Sequence, residues 1–444
     1  MELKSAPATA QELDFTKRPV SEEGRMPALS LTMAWWAVCS AMFWIVVAAT
    51  LASIYGTKHT LIGVGLTVIT YAIVNATITK YALRSGLSVS LFSRLLFGRS
   101  GSALATFLFA ITAIYYTVFE GSVIAVAATF VWPSIDYKVA ALLVVLYSVP
   151  LVFGSVQHWL DKINGILLPI YVVGLIAAIV MAVSEYGYSS AWLTNAGSAP
   201  SDAGWWHVYV AYMGVWVMMM YTFDFARFGK KKDEKYHAYF TFGAPFFVVQ
   251  MLVSALAGIF LVNTIPVDGA LNEVSAVKSI IVLMGLFGFI FVLVTQTRIN
   301  TANLYLSTVN FEAFARLTLG LNLSKVVSAI VVGAITYVLM LADVFHYLLA
   351  ALAYQGIFVV AWVGVALAYI WGPGRTAPLD AGAQPDEAYP AYNAAGLVAW
   401  FGSVAIGVIL MQIPSLASFS APATVAASFL MFSMARGRAA PAAA

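Results

Sequence analysis

Residues 102–131 read SALATFLFAITAIYYTVFEGSVIAVAATFV, a run whose only charge is Glu120. An α-helix rises about 1.5 Å per residue, so about 20 apolar residues cross a hydrocarbon core of roughly 30 Å. The run is a membrane helix with an ionisable side chain deep inside it. Residues 279–306 repeat the pattern around Arg298. A lone charge at such depth costs several kcal/mol on insertion scales, and residues kept there usually line a pathway. A carboxylate and a guanidinium on two different helices therefore mark where to look for what the chain binds.

Composition carries the same reading to the whole chain. Of 444 residues 61% are hydrophobic and 10% charged, which a soluble globule with a charged surface cannot accommodate. About twelve apolar spans are expected, near residues 29–55, 59–83, 102–132, 138–157, 163–183, 205–228, 238–264, 279–307, 324–342, 345–371, 393–414 and 417–435. The polar head 1–27 lacks the short apolar core and small-residue cut site of a cleavable signal. With that head inside, nineteen Lys and Arg fall on the cytoplasmic side and three outside (Lys58, Lys138, Lys278), and Arg298 is buried. That asymmetry predicts a multi-pass protein of the cytoplasmic (inner) membrane with both termini cytoplasmic. The net charge of +3 thus reflects membrane orientation and lipid contact, not nucleic-acid binding.

The single cysteine, Cys39, excludes a disulfide framework. Five histidines lie near span ends with no helical metal-pair spacing, so neither a metal nor a cofactor is expected; His346, a turn after Asp343, could titrate near neutral pH. The expected organisation is a cytoplasmic segment 1–27, a ten-helix core 28–371, a Pro/Ala-rich flexible linker 372–392, two peripheral helices 393–436 and a tail 437–444. Ten spans plus two is the division an inverted-repeat transporter would show.

Spans one and six read as broken helices, at Cys39-Ser40-Ala41 and at Gly214-Val215-Trp216. Small residues at these places also suit close helix packing. On span three, Tyr116 and Glu120 are four apart and share a face. On span eight, Gln296, Asn300, Asn303 and Ser307 follow helical spacing and form one polar stripe, with Arg298 about 200° away from Asn300 around the helix. Two adjacent subsites follow, one amide-lined and one cationic. Glu120 and Arg298 could instead pair as a salt bridge or a gate, with the amides as interhelical glue.

Three segments are similar to stretches of the nucleobase:cation symporter-1 family, in particular bacterial cytosine permeases: Arg84-Ser85-Gly86-Leu87-Ser88 through Ser93-Arg94-Leu95-Leu96-Phe97-Gly98, then Asp224-Phe225-Ala226-Arg227-Phe228-Gly229, then Asn300-Thr301-Ala302-Asn303-Leu304-Tyr305. Ser40-Ala41-Met42-Phe43-Trp44 resembles the broken part of the family's first helix, and the likeness covers about residues 29–371. The resemblance implies an all-α LeuT-type fold of two inverted five-helix repeats plus two peripheral helices. It also implies import of nucleobases, hydantoins, allantoin or related vitamins with Na⁺ or H⁺. Tyr116 and Trp216 match the aromatics that sandwich the ring, Trp216 only with one residue deleted in the unwound segment. Glu120 stands where hydantoin-type members have Gln, and Asn300 and Asn303 match the helix-eight amides. Sodium-coupled members supply hydroxyls from helix eight just before the first Asn, and here those places hold Arg298 and Ile299. A hard cation needs oxygen ligands, which neither side chain offers.

The expected function is secondary transport of a small nitrogen heterocycle by alternating access, sodium-independent, with H⁺ as the coupling candidate. Tyr116, Trp216, Gln296, Asn300, Asn303 and Glu120 would bind it. Arg298, Glu120, Asp224, Ser40 and Gly214 would couple or gate, with Asp224 pairing with the basic stretch Arg227–Lys232. Alternatives are a cationic or amidine-bearing substrate paired with Glu120, and a membrane receptor that binds without accumulating. An enzyme is disfavoured because no metal-spaced His pair or Ser/His/Asp constellation falls within the spans, and a channel because no selectivity motif is present.

Overall fold

The computed structural model describes residues 18–153, 156–267, 274–342, 347–378 and 384–437, with side-chain surroundings undescribed for 156–167, 386 and 436–437. Asp343 and His346, the head before residue 18, linker residues 379–383 and the tail beyond residue 437 lie outside the described residues.

The described chain is helical, with one isolated bridge, Met26 to Gly229. The first span is a pair, α1 (Ala28–Trp36) and α2 (Met42–Tyr55), bent by 42°; the sixth is a second pair, α8 (Gly204–Met213) and α9 (Val217–Ala226), bent by 44°. Between them run α3 (Thr57–Ser85), the short α4 (Val89–Phe97), α5 (Ser102–Val131), α6 (Tyr137–Leu151) and α7 (Val156–Tyr186). There follow α10 (Lys231–Thr264), α11 (Ser275–Leu319), α12 (Lys325–Met340), α13 (Leu348–Trp371), α14 (Ala394–Met411) and α15 (Ser420–Gly437). Among the described residues eight single helices are long and apolar enough to cross a membrane, ten spans counting the two bent pairs, while α6 and α12 are shorter and apolar. Both expected breaks are present at the expected places.

Two expected boundaries move and one segment differs in character. The fourth span was expected to reach residue 157 but α6 ends at Leu151, just after Pro150, whose missing N–H leaves the carbonyl of Leu146 without its helical partner. Residues from Val156 belong to α7 instead. The eighth span was expected over 279–307, but α11 runs 45 residues, with an outer arm joined at Gly285 (φ 53°, ψ −129°). That left-handed backbone is readily adopted by glycine. The third change concerns the linker expected to be flexible. Arg99 N–H donates to Pro390 O (3.0 Å), Ser100 N–H to Ala391 O (2.9 Å) and Asn393 N–H to Phe97 O (2.9 Å). Gly98 makes this docking possible: its φ is 83°, and a Cβ there would sit 2.6 Å from Pro390 O.

Arg25, Arg84, Arg94, Arg227 and Lys231 gather at one face of the molecule. At the basic face, residues 20–26 form a strap across four helix ends. Val20 N–H donates to Gly86 O (2.9 Å) and Met26 N–H to Phe228 O (2.7 Å). The buried Arg25 guanidinium donates to Leu83 O (2.8 Å) and to Gly229 O. Arg84 at the end of α3 forks onto Glu234 of α10 (2.5 and 2.7 Å). Glu22 meets Lys231 (3.1 Å), whose hydrogen bond, with Arg25 nearby, holds its carboxyl below the usual carboxylate range. The ends of α1, α3, α9 and α10 are thereby tied together. Elsewhere α5 lies along α11, and α13, α14 and α15 pack as a group.

Candidate functional site

The site forms where the two bends meet α5 and α11. In the first bend, Ala37–Ser40 tightens to a 3₁₀ turn and Ala41 is extended (φ −63°, ψ 121°), so α2 starts afresh at Met42. A helix start leaves N–H groups without backbone partners. The N–H of Met42 is taken by Gln296 Oε1 of α11 at 3.0 Å. That contact fixes the Gln296 amide, because a backbone N–H can only donate and so must face the amide oxygen. The Gln296 Nε2 then donates to Glu120 Oε2 of α5. Glu120 is 1% exposed, and among the described residues Gln296 is its one hydrogen-bond partner.

Glu120 lines a pocket of about 40 Å³ whose other walls include Phe43, Trp44, Tyr116, Tyr221 and Asn303. Tyr116 stands edge-on to Phe43 with ring centres 5.2 Å apart. Tyr221 donates its hydroxyl to Asn303 Oδ1 (3.1 Å), which leaves the Asn303 Nδ2 as a donor. Tyr116 Oη accepts from Gln355 of α13 (3.2 Å), and Gln355 also donates to Gly214 O in the second bend (3.2 Å). Above this bridge the bend and α13 touch backbone to backbone: a Cβ on Gly356 would sit 2.6 Å from the Cα of Gly214. The Tyr115 hydroxyl adds a bond to Leu348 O (3.3 Å).

Toward the basic face a larger cavity of about 480 Å³ opens, reaching Arg316 and Leu317. It shares Phe225, Ala302 and Leu306 with the small pocket as a common wall. Arg298 lies on its wall and donates from Nη2 to Ala34 O of α1 (3.1 Å). Glu120 and Arg298 therefore face different spaces, and the salt bridge weighed from the sequence does not form between them. Asp224 lines the same cavity, accepting from Val89 N–H at the start of α4 (2.9 Å) and lying 3.9 Å from Arg227 Nε. Among the described residues no three His, Cys, Asp or Glu side chains gather as a metal site would need.

The structure thus brings Tyr116, Glu120, Gln296 and Asn303 together and sends three other sequence candidates elsewhere. Asn300 donates to Ser148 of α6 (3.1 Å) and faces a cavity of about 10 Å³ with Thr117 and Thr336, because it stands 40° round α11 from Gln296. Trp216 packs edge-on to Tyr71 of α3, since the second bend keeps i→i+3 bonds and helical backbone angles where an unwound segment was expected. Ser40 spends its hydroxyl on Ala37 O (2.8 Å). Two residues enter that sequence reasoning had not assigned. Trp44 is named in the sequence only within the stretch that resembles the family's first helix, and Gln355 is the one amide in the apolar stretch Leu348–Trp371. For Asn300→Ala the expectation follows from its contact with Ser148: thermal unfolding shows a loss of about 1 kcal/mol, while affinity for a pocket ligand stays within about twofold. A tenfold loss of affinity would return Asn300 to the site.

The sequence matches no protein-family model and no curated protein. By structure, the chain is similar to Mhp1, a nucleobase-cation-symport-1 family transporter, in a closed conformation with bromovinylhydantoin bound, at 14% identity over 95% of each chain with a TM-score of 0.76. The chain has the LeuT-type fold. The inward-facing conformation of Mhp1 gives 13% identity over 95% of this chain and 94% of that one, with a TM-score of 0.73. A Na⁺-coupled sialic acid symporter gives 14% identity over 98% and 96%, with a TM-score of 0.65. These likenesses agree with the ten-plus-two helix plan expected from the sequence.

Proposed function

We propose that the chain is a member of the nucleobase:cation symporter-1 family and imports a small nitrogen heterocycle by alternating access. The observation that carries this reading is Glu120: a buried carboxyl, held on one side by Gln296, on the wall of an aromatic pocket between two bent helices. The basic face is read as cytoplasmic by the excess of Lys and Arg there. The larger cavity then makes this an inward-facing form in which the shared wall still closes the small pocket, with α13 sealing the other side. About 40 Å³ is too small for a planar ring, so binding must move the shared wall of Phe225 and Leu306. Tyr116, Trp44 and Phe43 would offer faces and edges to the ring, and Glu120 and Asn303 an acceptor and a donor.

Sodium is not expected to take part. Arg298 stands on the α11 turn facing α1 and donates to Ala34 O, so a fixed positive charge lies beside the first bend, where a hard cation would be repelled and the side chain offers it no oxygen. Binding measured in sodium-free and sodium-rich buffer should agree within about twofold; a steep rise with sodium overturns this reading of Arg298.

A thermal-shift screen of the purified protein against nucleobases, hydantoins, amidines and small vitamins tests the function. A ligand at a hundred times its dissociation constant adds about 2.7 kcal/mol of stability. Accumulation of that ligand by proteoliposomes separates a carrier from a receptor, which binds without accumulating. A second reading, a cationic or amidine-bearing substrate, is favoured by one observation: among the described residues Glu120 is the only charged group lining the pocket.

A further inference from the structure

The amide of Gln296 joins two separate elements of the site. One is the pocket carboxyl on α5; the other is the first peptide N–H after the bend in α1/α2. Its orientation leaves no freedom. The Oε1 faces a group that can only donate, so Nε2 must donate to Glu120, and that oxygen of Glu120 is an acceptor whether the carboxyl is neutral or ionised. A proton or a ligand N–H is thereby directed to the other oxygen, Oε1. Ionised, Glu120 accepts a charge-assisted bond from Gln296; with a proton or a ligand on Oε1, the charge available to that bond falls and the bond weakens. The groups facing Glu120 do not complicate this. Span three contributes Tyr115 and Tyr116, α9 contributes Tyr221, α11 the neutral Gln296, α13 the neutral Gln355, and the α1/α2 pair Phe43 and Trp44. Arg298 points away to Ala34 O and the larger cavity.

We propose that Gln296 is the positioning residue through which occupancy of Glu120 sets the geometry of the bend at Ala41–Met42. The proposal rests on reading the pocket as the transport site, and Gln296 acts through Glu120 and Met42 without needing to touch the substrate.

The chain carries its own reporter of that bend. Cys39, the single cysteine, is fully buried in the 3₁₀ turn Ala37–Ser40, two residues before the extended Ala41. Its rate of labelling by N-ethylmaleimide in the full-length protein, with no substrate added, reads how often the bend opens. Gln296→Leu removes both hydrogen bonds and should raise the rate at least fivefold at fixed pH, on the usual ~1 kcal/mol per lost bond. Glu120→Leu should raise it similarly, and the double variant should go no further, because both substitutions break one chain of bonds. Ser307→Ala, whose hydroxyl serves only its own helix backbone, should leave the rate unchanged. A Gln296→Leu rate within twofold of wild type, or a double variant whose effects add, overturns the proposal.

Should Gln296→Leu not fold, Gln296→Glu decides. It keeps the acceptor for Met42 but sets a carboxyl against Glu120, so the pair holds together only while they share a proton. The ratio of variant to wild-type labelling at equal pH, which cancels the thiol's own reactivity, should climb as the pH is raised and the shared proton is lost. A flat ratio overturns the proposal. Because no substrate is involved, failure of a ligand screen and failure of this experiment are separate results.

Discussion

Glu120→Leu is expected to weaken ligand binding by roughly tenfold to a hundredfold, the equivalent of one hydrogen bond to a charged group at about 1.5–3 kcal/mol. The loss has two sources. The ligand loses the oxygen of Glu120 not bonded to Gln296, and the Gln296 Nε2 is left without a partner in a buried site. Glu120→Gln separates the two roles open to this carboxyl, because the new amide can still accept from Gln296 through its oxygen. If Glu120 couples protons, the variant binds and exchanges substrate but no longer accumulates it down a pH gradient. If Glu120 pairs with a basic substrate, binding itself drops by more than about tenfold. Wild-type behaviour of Glu120→Gln in both assays would mean that this carboxyl is structural, and the assignment of the pocket would fall with it.

Gly356→Leu should abolish uptake while leaving a folded protein. In the present form a Cβ at that position has 2.6 Å to the Gly214 Cα and cannot be relieved by a rotamer change, since the obstacle is backbone. Overpacking of this kind costs about 1–3 kcal/mol. The cost falls on the form in which α13 closes against the second bend, so the population shifts by roughly tenfold to a hundredfold toward forms in which they part. The check is uptake beside thermal stability. Normal uptake by Gly356→Leu would show that the contact is not part of the transport cycle, and aggregation with lost helix content would show that it is needed for folding. Gly214 was singled out from the sequence as a point of unwinding; its structural use is close approach, which the same small side chain serves equally well.

The fold was legible because hydrophobic run length is a one-dimensional signal. A bilayer of fixed thickness turns it directly into helix length and number. The two bends were legible for a related reason, small residues in the middle of otherwise bulky apolar runs. Glu120, Tyr116, Gln296 and Asn303 meet as helical spacing suggested, since an i, i+4 or i, i+7 relation survives any packing of the helices. The errors arise where the answer depended on a neighbour. Asn300 lies within the same stripe as Asn303, yet 60° of helix rotation turns it to α6 and Ser148. Trp216 depends on how tightly the second bend is wound, and three i→i+3 hydrogen bonds there turn its ring to Tyr71. No side-chain pattern could reveal the Met42 N–H as a partner of Gln296, because it is a main-chain donor exposed only by the break.

The strap at the basic face bears on how the inner ends of the helices come apart. One buried guanidinium, Arg25, answers carbonyls from the end of α3 and from the turn that follows α9, while Met26 answers Phe228 and Val20 answers Gly86. Helix ends ordinarily fray one at a time, with opening free energies close to zero. Here the ends of α1, α3 and α9 share one set of donors, so releasing any of them exposes groups of the other two. In hydrogen exchange their terminal amides would report a single common opening, and the bundle would behave at its inner edge as one cooperative unit whose protection is set by residues 20–26 of the polar head.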